Sequence, residues 1–290
     1  MPGGILNVYK PVGMTSFEIT ERVGKILGEK AGHTGTLDPF ARGVMVVCWG
    51  KATRLASFFQ ALDKTYRARI RFGISTDTYD VTGKIVKVRK GNLSKKEGEE
   101  LLLKYRGAIK QQVPPFSASK HQGKPRYRYA RQGKTLPVQE KEVEIYDLEL
   151  ISWEEGEWPE AEILVRCSSG TYIRSLAHEW GEDSGLGAYL FSLRREKVGD
   201  FSLEQSEEIT EREIDRQFLL SKSIPPDQGL YWITSVHLEE KEAKRIKHGG
   251  FVFSPWQKKG WVKMYEGDKF LGLGKIEDDG ELRPRIILGE

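Results

Sequence analysis

The sequence predicts an α+β protein with a large domain of helices and strands, followed by a small β-rich domain. Two patterns support the large domain: a capped helix at residues 15–28 precedes an apolar run at 44–49, and residues 65–72 alternate between apolar and polar side chains. A third pattern marks the boundary, because the turn-forming cluster 225–229 precedes short alternating segments. At 290 residues and 38% hydrophobic, the chain is long enough to bury a sizeable core.

The first helix has clear start and stop signals. Thr15 and Glu18 form a capping box, and Gly28 is typical of a helix end. The run at residues 44–49 is continuously apolar, which predicts a strand buried on both faces.

A glycine-bounded loop, residues 32–39, joins these two elements and carries one carboxylate, Asp38. A loop fixed at both ends by core elements can hold its side chains rigidly, as a catalytic group requires. The alternative is structural, because Asp before Pro is also a common turn former. Asp38 alone therefore does not identify an active site.

The alternation at residues 65–72 predicts a strand with two different faces. Tyr66 falls on the apolar face, where its hydroxyl needs a partner or a substrate. The other face is either a solvated surface or a functional row of cations, and both interpretations stay open. Its basic residues are Arg67, Arg69 and Arg71.

Residues 117–134 form a basic segment without a single acid. Tyr127 and Tyr129 lie inside it, and aromatic rings among cations suit the binding of unpaired bases and phosphates. The alternative is a solvated basic loop. The cations are Lys120, Lys124, Arg126, Arg128, Arg131 and Lys134.

A strand-to-helix junction follows the apolar residues 163–167. Tyr172 and Arg174 lie at this junction, where polar side chains can project into a cleft. A guanidinium beside Asp38 would keep that carboxylate ionised and orient it by paired hydrogen bonds. Alternatively, Arg174 lies on the surface of the helix's first turn.

Composition favours an untargeted cytoplasmic protein. The first residues lack a charged and then apolar leader, and no stretch is long enough to cross a bilayer. Cys48 and Cys167 each lie in an apolar run, which predicts buried free thiols. The net charge of +4 is too small to indicate a nucleic-acid partner by itself.

Five segments resemble, in the same order, the successive motifs of the bacterial TruB family, the tRNA pseudouridine-55 synthases. The resemblance runs from about residue 4 to about residue 200 and continues more weakly to the end. It implies an isomerase that converts one uridine in the TΨC loop of tRNA to pseudouridine. The segments are KPVGMTS at 10–16, GHTGTLDP at 32–39, DKTY at 63–66, QVPPFSA at 112–118 and GTYIR at 170–174.

The resemblance assigns the catalytic carboxylate to Asp38, which would stabilise cationic character at C1′ or add to it as the glycosidic bond breaks. A route in which Asp38 abstracts a ribose proton stays open. Tyr66 matches the family tyrosine thought to stack on the target base and take part in proton transfer at C5. Arg174 matches the arginine that pairs with the catalytic carboxylate.

Further positions match substrate-binding residues of the family. His33 matches a histidine that packs among displaced bases once the uridine is flipped out, and Tyr172 matches a substrate-contacting tyrosine. Leu193 aligns with a residue whose backbone contacts the uracil, although core packing would also explain a leucine. Arg195 is expected to contact phosphate, together with Lys120, Lys124, Arg126 and Arg131 of the basic segment. Lys10 is expected to support the cleft floor.

The same resemblance implies a mixed, largely antiparallel sheet flanked by helices at residues 1–228, with an RNA-binding insertion at about 105–140. Residues 229–290 would form a small PUA-like RNA-binding domain, including a short basic helix at 238–248. It implies no metal, cofactor or protein partner, tRNA as the substrate, and a monomer. Two alternatives stay open: the catalytic subunit of a guide-RNA pseudouridylation particle, and a non-catalytic tRNA-binding or tRNA-folding protein.

Overall fold

The computed structural model describes residues 3–210, 214–253 and 259–288. Its strands in chain order are β1 Gly3–Lys10, β2 Ala31–His33, β3 Arg42–Gly50, β4 Lys64–Phe72, β5 Ile74–Thr76, β6 Ile85–Val88, β7 Gly107–Gln112, β8 Lys120–His121, β9 Lys124–Pro125, β10 Glu140–Glu154, β11 Glu160–Cys167, β12 Ala188–Val198, β13 Phe201–Ser202, β14 Glu207–Glu208, β15 Ser235–Leu238, β16 Val252–Phe253, β17 Gly260–Glu266, β18 Lys269–Ile276 and β19 Glu281–Ile287. Its helices are α1 Ser16–Leu27, α2 Ala56–Gln60, α3 Lys95–Leu102, α4 Arg126–Ala130, α5 Ile173–Asp183, α6 Arg216–Ser221, α7 Pro226–Gly229 and α8 Glu240–Lys247, with 3₁₀ turns at Lys51–Leu55 and Leu103–Tyr105.

Among the described residues, ten strands form one sheet whose main order is β14-β1-β3-β12-β4-β11-β10-β7. Within this sheet, as far as the described residues go, only the pairs β1 with β14 and β3 with β12 are parallel. The other pairs are antiparallel. The expected mixed, largely antiparallel sheet is confirmed.

The elements on either side of the Asp38 loop match their sequence signals. The Thr15 side chain accepts from the Glu18 amide while Glu18 accepts from the Thr15 amide, and Gly28 closes α1 with φ of 66°. Strand β3 is buried over nearly its whole length, because sheet neighbours cover both of its edges and helices pack on its faces. The loop between these elements is therefore held at both ends.

Strand β4 alternates as expected, with Tyr66 on its buried face. The three arginines of the other face pair with glutamates of neighbouring strands: Arg67 with Glu162 at 2.6 Å, Arg69 with Glu160 at 2.8 Å, and Arg71 also with Glu160. These cross-strand ion pairs support the structural interpretation of the arginine row.

The segment between β7 and β10 contains a short hairpin, β8–β9, and the short helix α4. Gln122 and Gly123 form the hairpin tip with φ of 48° and 79°. Positive φ at both positions is what a tight two-residue hairpin turn requires. The basic residues of the insertion are thus carried on a small folded unit.

The C-terminal strands form a separate five-stranded sheet in the order β15-β17-β18-β19-β16, which confirms the expected β-rich domain. The basic helix α8 begins at Glu240 rather than 238, because Leu238 still belongs to β15. Leu273 and Leu288 of this sheet share a buried cluster with Ile5 of β1. The boundary at 228/229 stays a prediction.

Both cysteines are buried free thiols, as expected. Burial raises the pKa of Cys48 to about 12 and that of Cys167 to about 11, so neither thiol forms a reactive thiolate at neutral pH. None of the described helices has the length and apolarity needed to cross a membrane.

Candidate active site

A cavity of about 460 Å³ opens at the centre of the large sheet. It lies where the sheet order places β3, β12, β4 and β11 side by side, so residues distant in sequence converge there. The predicted residues that line it are Asp38, Tyr66, Tyr172, Arg174, Leu193 and Arg195. A larger groove of about 940 Å³ lies elsewhere, between α1 and residues 214–218, and contains none of these groups.

The loop that carries Asp38 is fixed by hydrogen bonds at several points. The Leu37 amide donates to Ser16 Oγ at 2.8 Å, and that hydroxyl donates back to the Leu37 carbonyl at 3.0 Å. The Gly13 amide donates to the Pro39 carbonyl at 2.8 Å. Because α1 supplies Ser16 directly after its cap, the capping box also sets the position of the loop.

Two buried lysines near the cavity donate hydrogen bonds to backbone carbonyls. Lys10 is fully buried, as its expected structural role requires, and donates to the carbonyls of Ala41, Met14 and Pro11 at 2.6, 2.7 and 2.8 Å. Lys64, which sequence analysis did not single out, donates to the Gln60 and Leu62 carbonyls at 2.5 Å each. Burial is the largest cause that lowers the pKa of each lysine to about 8.

Asp38 and Arg174 form a bidentate pair. Arg174 Nε lies 2.9 Å from Asp38 Oδ2, and Arg174 Nη2 donates to Asp38 Oδ1 at 3.3 Å. The Arg174 side chain is buried, whereas the Asp38 side chain keeps 34% of its surface exposed and lines the cavity. The expected partnership is confirmed, and the surface interpretation of Arg174 is wrong.

Arg174 is itself held by groups that sequence analysis missed. Its Nη1 donates to the Thr78 carbonyl at 3.0 Å, its Nη2 donates to the Phe116 carbonyl at 2.9 Å, and its Nε lies 3.6 Å from Asp80 Oδ2. Asp80 is buried and accepts from Thr82 Oγ1 at 2.6 Å. One guanidinium therefore joins the Asp38 loop, the turn after β5 and the base of the insertion.

Opposing effects act on the pKa of Asp38. Burial is the largest and raises this pKa above its usual range, and the nearby Asp80 carboxylate raises it further. The Arg174 guanidinium and the Lys10 ammonium lower it. Arg174 is thus the principal group that favours the ionised carboxylate, as the sequence predicts, although burial outweighs it.

The two tyrosines of the cavity have different settings. Tyr66 is buried, and its pKa is raised, chiefly by that burial. Its phenol contacts the Arg195 guanidinium, which supplies the partner that a buried hydroxyl needs. Tyr172 caps the start of α5, and its amide donates to Gln111 Oε1 at 2.7 Å.

His33 ends β2 directly before the cavity-lining loop and is half-buried. Its Nδ1 has no hydrogen-bond partner among the described residues. Burial, the largest cause, and the Arg195 charge lower the pKa of His33, which leaves a neutral ring at neutral pH. Leu193 of β12 is buried and also lines the cavity, so packing and a cavity role coexist there.

The expected phosphate contact of Arg195 requires correction. Only 2% of the residue is exposed, and its donors are used by the Val44 carbonyl at 2.7 Å and the Gly35 carbonyl at 3.0 Å. A phosphate cannot reach a guanidinium buried in this way. Gly43 makes the arrangement possible, because a Cβ there would lie 2.2 Å from the Arg195 carbonyl oxygen.

The expected phosphate contact of Arg126 also requires correction. The residue is 4% exposed, and its Nη2 donates to the Pro137 carbonyl at 2.7 Å, so it stabilises the insertion from inside. Three other predicted cations are exposed, as phosphate binding requires: Lys120, Lys124 and Arg131. Arg131 lies over the Tyr127 ring at 5.4 Å.

No group of three His, Cys, Asp or Glu side chains within the described ranges is arranged to hold a metal ion. Among the described residues that line the cavity, the cationic side chains are Lys64, Lys141, Arg174 and Arg195, and the only carboxylate is Asp38. The same lining includes the phenols of Tyr66 and Tyr172.

Comparison with known proteins identifies the family. Residues 24–173, more than half of the chain, match the model of the TruB family pseudouridylate synthase N-terminal domain. The chain belongs to the TruB family. Residues 234–288 match the C-terminal domain of pseudouridine synthase II TruB, which corresponds to the second sheet.

Full-length relatives support the assignment to TruB. The tRNA pseudouridine synthase B of Aquifex aeolicus is 41% identical over 98% of this chain and 99% of its own. The enzyme of the same name from Clostridium kluyveri is 37% identical over 95% of this chain and 96% of its own.

Solved structures share the fold of this TruB chain. A chain of an H/ACA RNP bound to a substrate RNA containing 2′-deoxyuridine superposes with a TM-score of 0.72 at 23% identity, covering 99% of this chain and 85% of the other. A chain of a Cbf5-Nop10-Gar1 complex gives 0.73 at 24% identity with the same coverage. At this identity the likeness concerns the fold alone.

Proposed function

We propose that this TruB protein is a stand-alone isomerase that converts uridine 55 in the TΨC loop of tRNA to pseudouridine. The observation that carries the proposal is the Asp38–Arg174 pair, held rigidly in a cavity that also contains Tyr66. The names of full-length relatives, tRNA pseudouridine synthase B, support tRNA as the substrate.

The reaction breaks the bond from ribose C1′ to N1 of uracil, and the base turns and rejoins C1′ through C5. Ionised Asp38 stabilises the cationic character at C1′ as the first bond breaks. Two routes are available to it: addition to C1′, or abstraction of a ribose proton through a glycal. The proton on C5 is finally lost, and Tyr66 takes part in that transfer.

Substrate and product are isomers, so the proposed reaction is redox-neutral and consumes no co-reactant. The catalytic groups are all side chains of this chain, and we infer that it acts without metal or cofactor. We also infer a cytoplasmic monomer, with residues 1–228 as the catalytic domain and 229–290 as a PUA-like RNA-binding domain.

The target uridine is stacked inside a folded loop and must be flipped out, which costs a few kcal/mol. We infer that two sets of contacts with the RNA offset this cost. His33 packs among the displaced bases, and Tyr172 and Leu193 contact the extruded base. The exposed cations of the insertion bind the phosphate backbone: Lys120, Lys124 and Arg131.

Two alternatives make different predictions. A subunit of a guide-RNA particle would need a guide RNA and protein partners, whereas the insertion after Gln112 and the small C-terminal domain favour a chain that acts alone. A non-catalytic tRNA-binding protein would not need the bidentate pair between Asp38 and Arg174.

Incubation of the purified protein with unmodified tRNA, followed by mapping of pseudouridine at single-nucleotide resolution, tests the proposal. We expect pseudouridine at position 55 and none in a matched transcript with cytidine at that position. Product that forms only after a guide RNA is added would favour the particle subunit. Modification at another position would contradict the assigned specificity.

A further inference from the structure

Helix α5 contacts the β5–β6 hairpin through three side chains spaced four residues apart: Arg174, His178 and Glu182. This spacing places the three on one face of the helix. Each of the three contacts the hairpin: Arg174 Nη1 donates to the Thr78 carbonyl at 3.0 Å, the His178 and Tyr79 ring centroids are 3.8 Å apart, and Glu182 lies 3.7 Å from Lys87 Nζ and accepts from Ser75 Oγ at 3.5 Å.

Tyr79 has an unusual backbone. Its φ is 65°, and among the described non-glycine residues only Gln122 shares a positive φ. A bulky residue in the left-handed region persists only where its surroundings fix it. The residues on either side, Thr78 and Asp80, are the two members of the turn that contact Arg174.

The Tyr79 and His178 rings are stacked face to face, with an interplanar angle of 5°. His178 Nδ1 has no hydrogen-bond partner among the described residues, and the ring's stack on Tyr79 is a specific contact that does not use that atom. Burial is the largest cause that lowers the pKa of His178, which leaves the ring neutral at neutral pH. The stack therefore does not depend on a charge.

We propose that the Tyr79–His178 stack is a positioning device for the active site: it holds the turn after β5 so that Thr78 and Asp80 direct the Arg174 guanidinium onto Asp38. The proposal rests on the proposed function, because its readout is the isomerisation rate. Tyr79 and His178 do not line the cavity, so in this proposal they act through Arg174.

Loss of the stack has a defined consequence at Asp38. If the turn shifts, Arg174 loses two of its anchors and its alignment with the carboxylate, so the pKa of Asp38 rises further. The groups that face Asp38 are Arg174 from α5, Asp80 from the turn, Lys10 from β1, and the phenols of Tyr66 and Tyr172. Of the cations, only Arg174 depends on the stack.

The test compares His178→Ala, which removes the stack, with His178→Phe, which retains a ring of similar size. Single-turnover rates with saturating protein are measured between pH 5 and 9, together with tRNA affinity and thermal melting. We expect His178→Ala to lower the rate about tenfold at neutral pH while tRNA affinity is retained. The acid limb of the pH–rate profile, where the rate falls as Asp38 is protonated, should move to higher pH. His178→Phe should restore both.

Tyr146→Ala is the matched control, because the Tyr146 ring also packs against another side chain, with Arg166 over it at 5.0 Å, but lies outside the cavity lining and the insertion. It should leave the rate and the acid limb unchanged. A wild-type rate and limb in His178→Ala would overturn the inference and show that the Asp80 hydrogen bonds suffice to hold the turn. A lowered rate that His178→Phe does not restore would also overturn it. Inactive wild-type protein would instead overturn the proposed function.

Discussion

At the scale of single residues, the proposed reaction requires Asp38 to be ionised in a place that disfavours charge. Burial raises its pKa, and Arg174 is the main group acting in the opposite direction. A carboxylate held by a fixed guanidinium partner is already oriented, so the proposed reaction needs little reorganisation there when positive charge develops at C1′. The bidentate pair with Arg174 therefore favours the ionised form of Asp38 and also fixes the orientation of its carboxylate.

Substitutions of Arg174 separate these two roles. Arg174→Gln removes the positive charge, so the pKa of Asp38 rises and the acid limb of the kcat profile should move to higher pH. Arg174→Lys keeps the charge but loses the paired hydrogen bonds, so the limb should move less while kcat falls by about ten- to a hundredfold.

Tritium release from C5-labelled tRNA at several pH values measures both effects, and filter binding should show retained tRNA affinity. An Arg174→Gln profile that coincides with the wild-type profile would contradict the assigned role of the ion pair.

Two residue-scale expectations are wrong for a common physical reason. The charges of Arg126 and Arg195 suggest phosphate binding, but each side chain donates to backbone carbonyls inside the fold. The number of carbonyls that a folded loop leaves without a partner cannot be read from local sequence. Arg195 satisfies two such carbonyls, those of Val44 and Gly35, and Arg126 satisfies one, that of Pro137.

At the scale of elements, the insertion is built on a buried arginine and presents other cations outward. Arg126 ties α4 to the returning chain, while Lys124 and Arg128 on either side of it are exposed. The base of the insertion is also joined to the active site, because the Phe116 carbonyl accepts from Arg174. The sequence shows that the segment is basic but could not tell its buried from its exposed charges, and its RNA-binding role stays a prediction.

Removal of the exposed cations of the insertion should weaken tRNA binding only because fewer phosphates are neutralised. For Lys124→Ala combined with Arg131→Ala, we expect a lower affinity and a log–log salt slope that is smaller by about one for each phosphate that is no longer neutralised. Lys96→Ala, an exposed lysine of α3 outside the insertion, is the control and should keep the wild-type slope. An unaltered slope in the double variant would mean that the insertion does not bind phosphate.

At the scale of the whole molecule, the sheet brings the site together. Asp38, Tyr66 and Arg174 come from three separate parts of the chain, and the order β3-β12-β4-β11 makes them neighbours. Helix caps, alternation and motifs predicted these elements and residues. The Thr78–Asp80 turn was missed because it meets Arg174 only after folding, across 96 residues in the case of Thr78.

We propose that this chain alone isomerises uridine in tRNA and that Asp38 is the catalytic carboxylate. The most direct measurement is pseudouridine formed in unmodified tRNA by the purified wild-type protein and by Asp38→Asn. We expect stoichiometric conversion by the wild type, and a rate lower by about four orders of magnitude, with tRNA binding retained, in the variant. Pseudouridine formed by Asp38→Asn at the wild-type rate would contradict the catalytic role of Asp38.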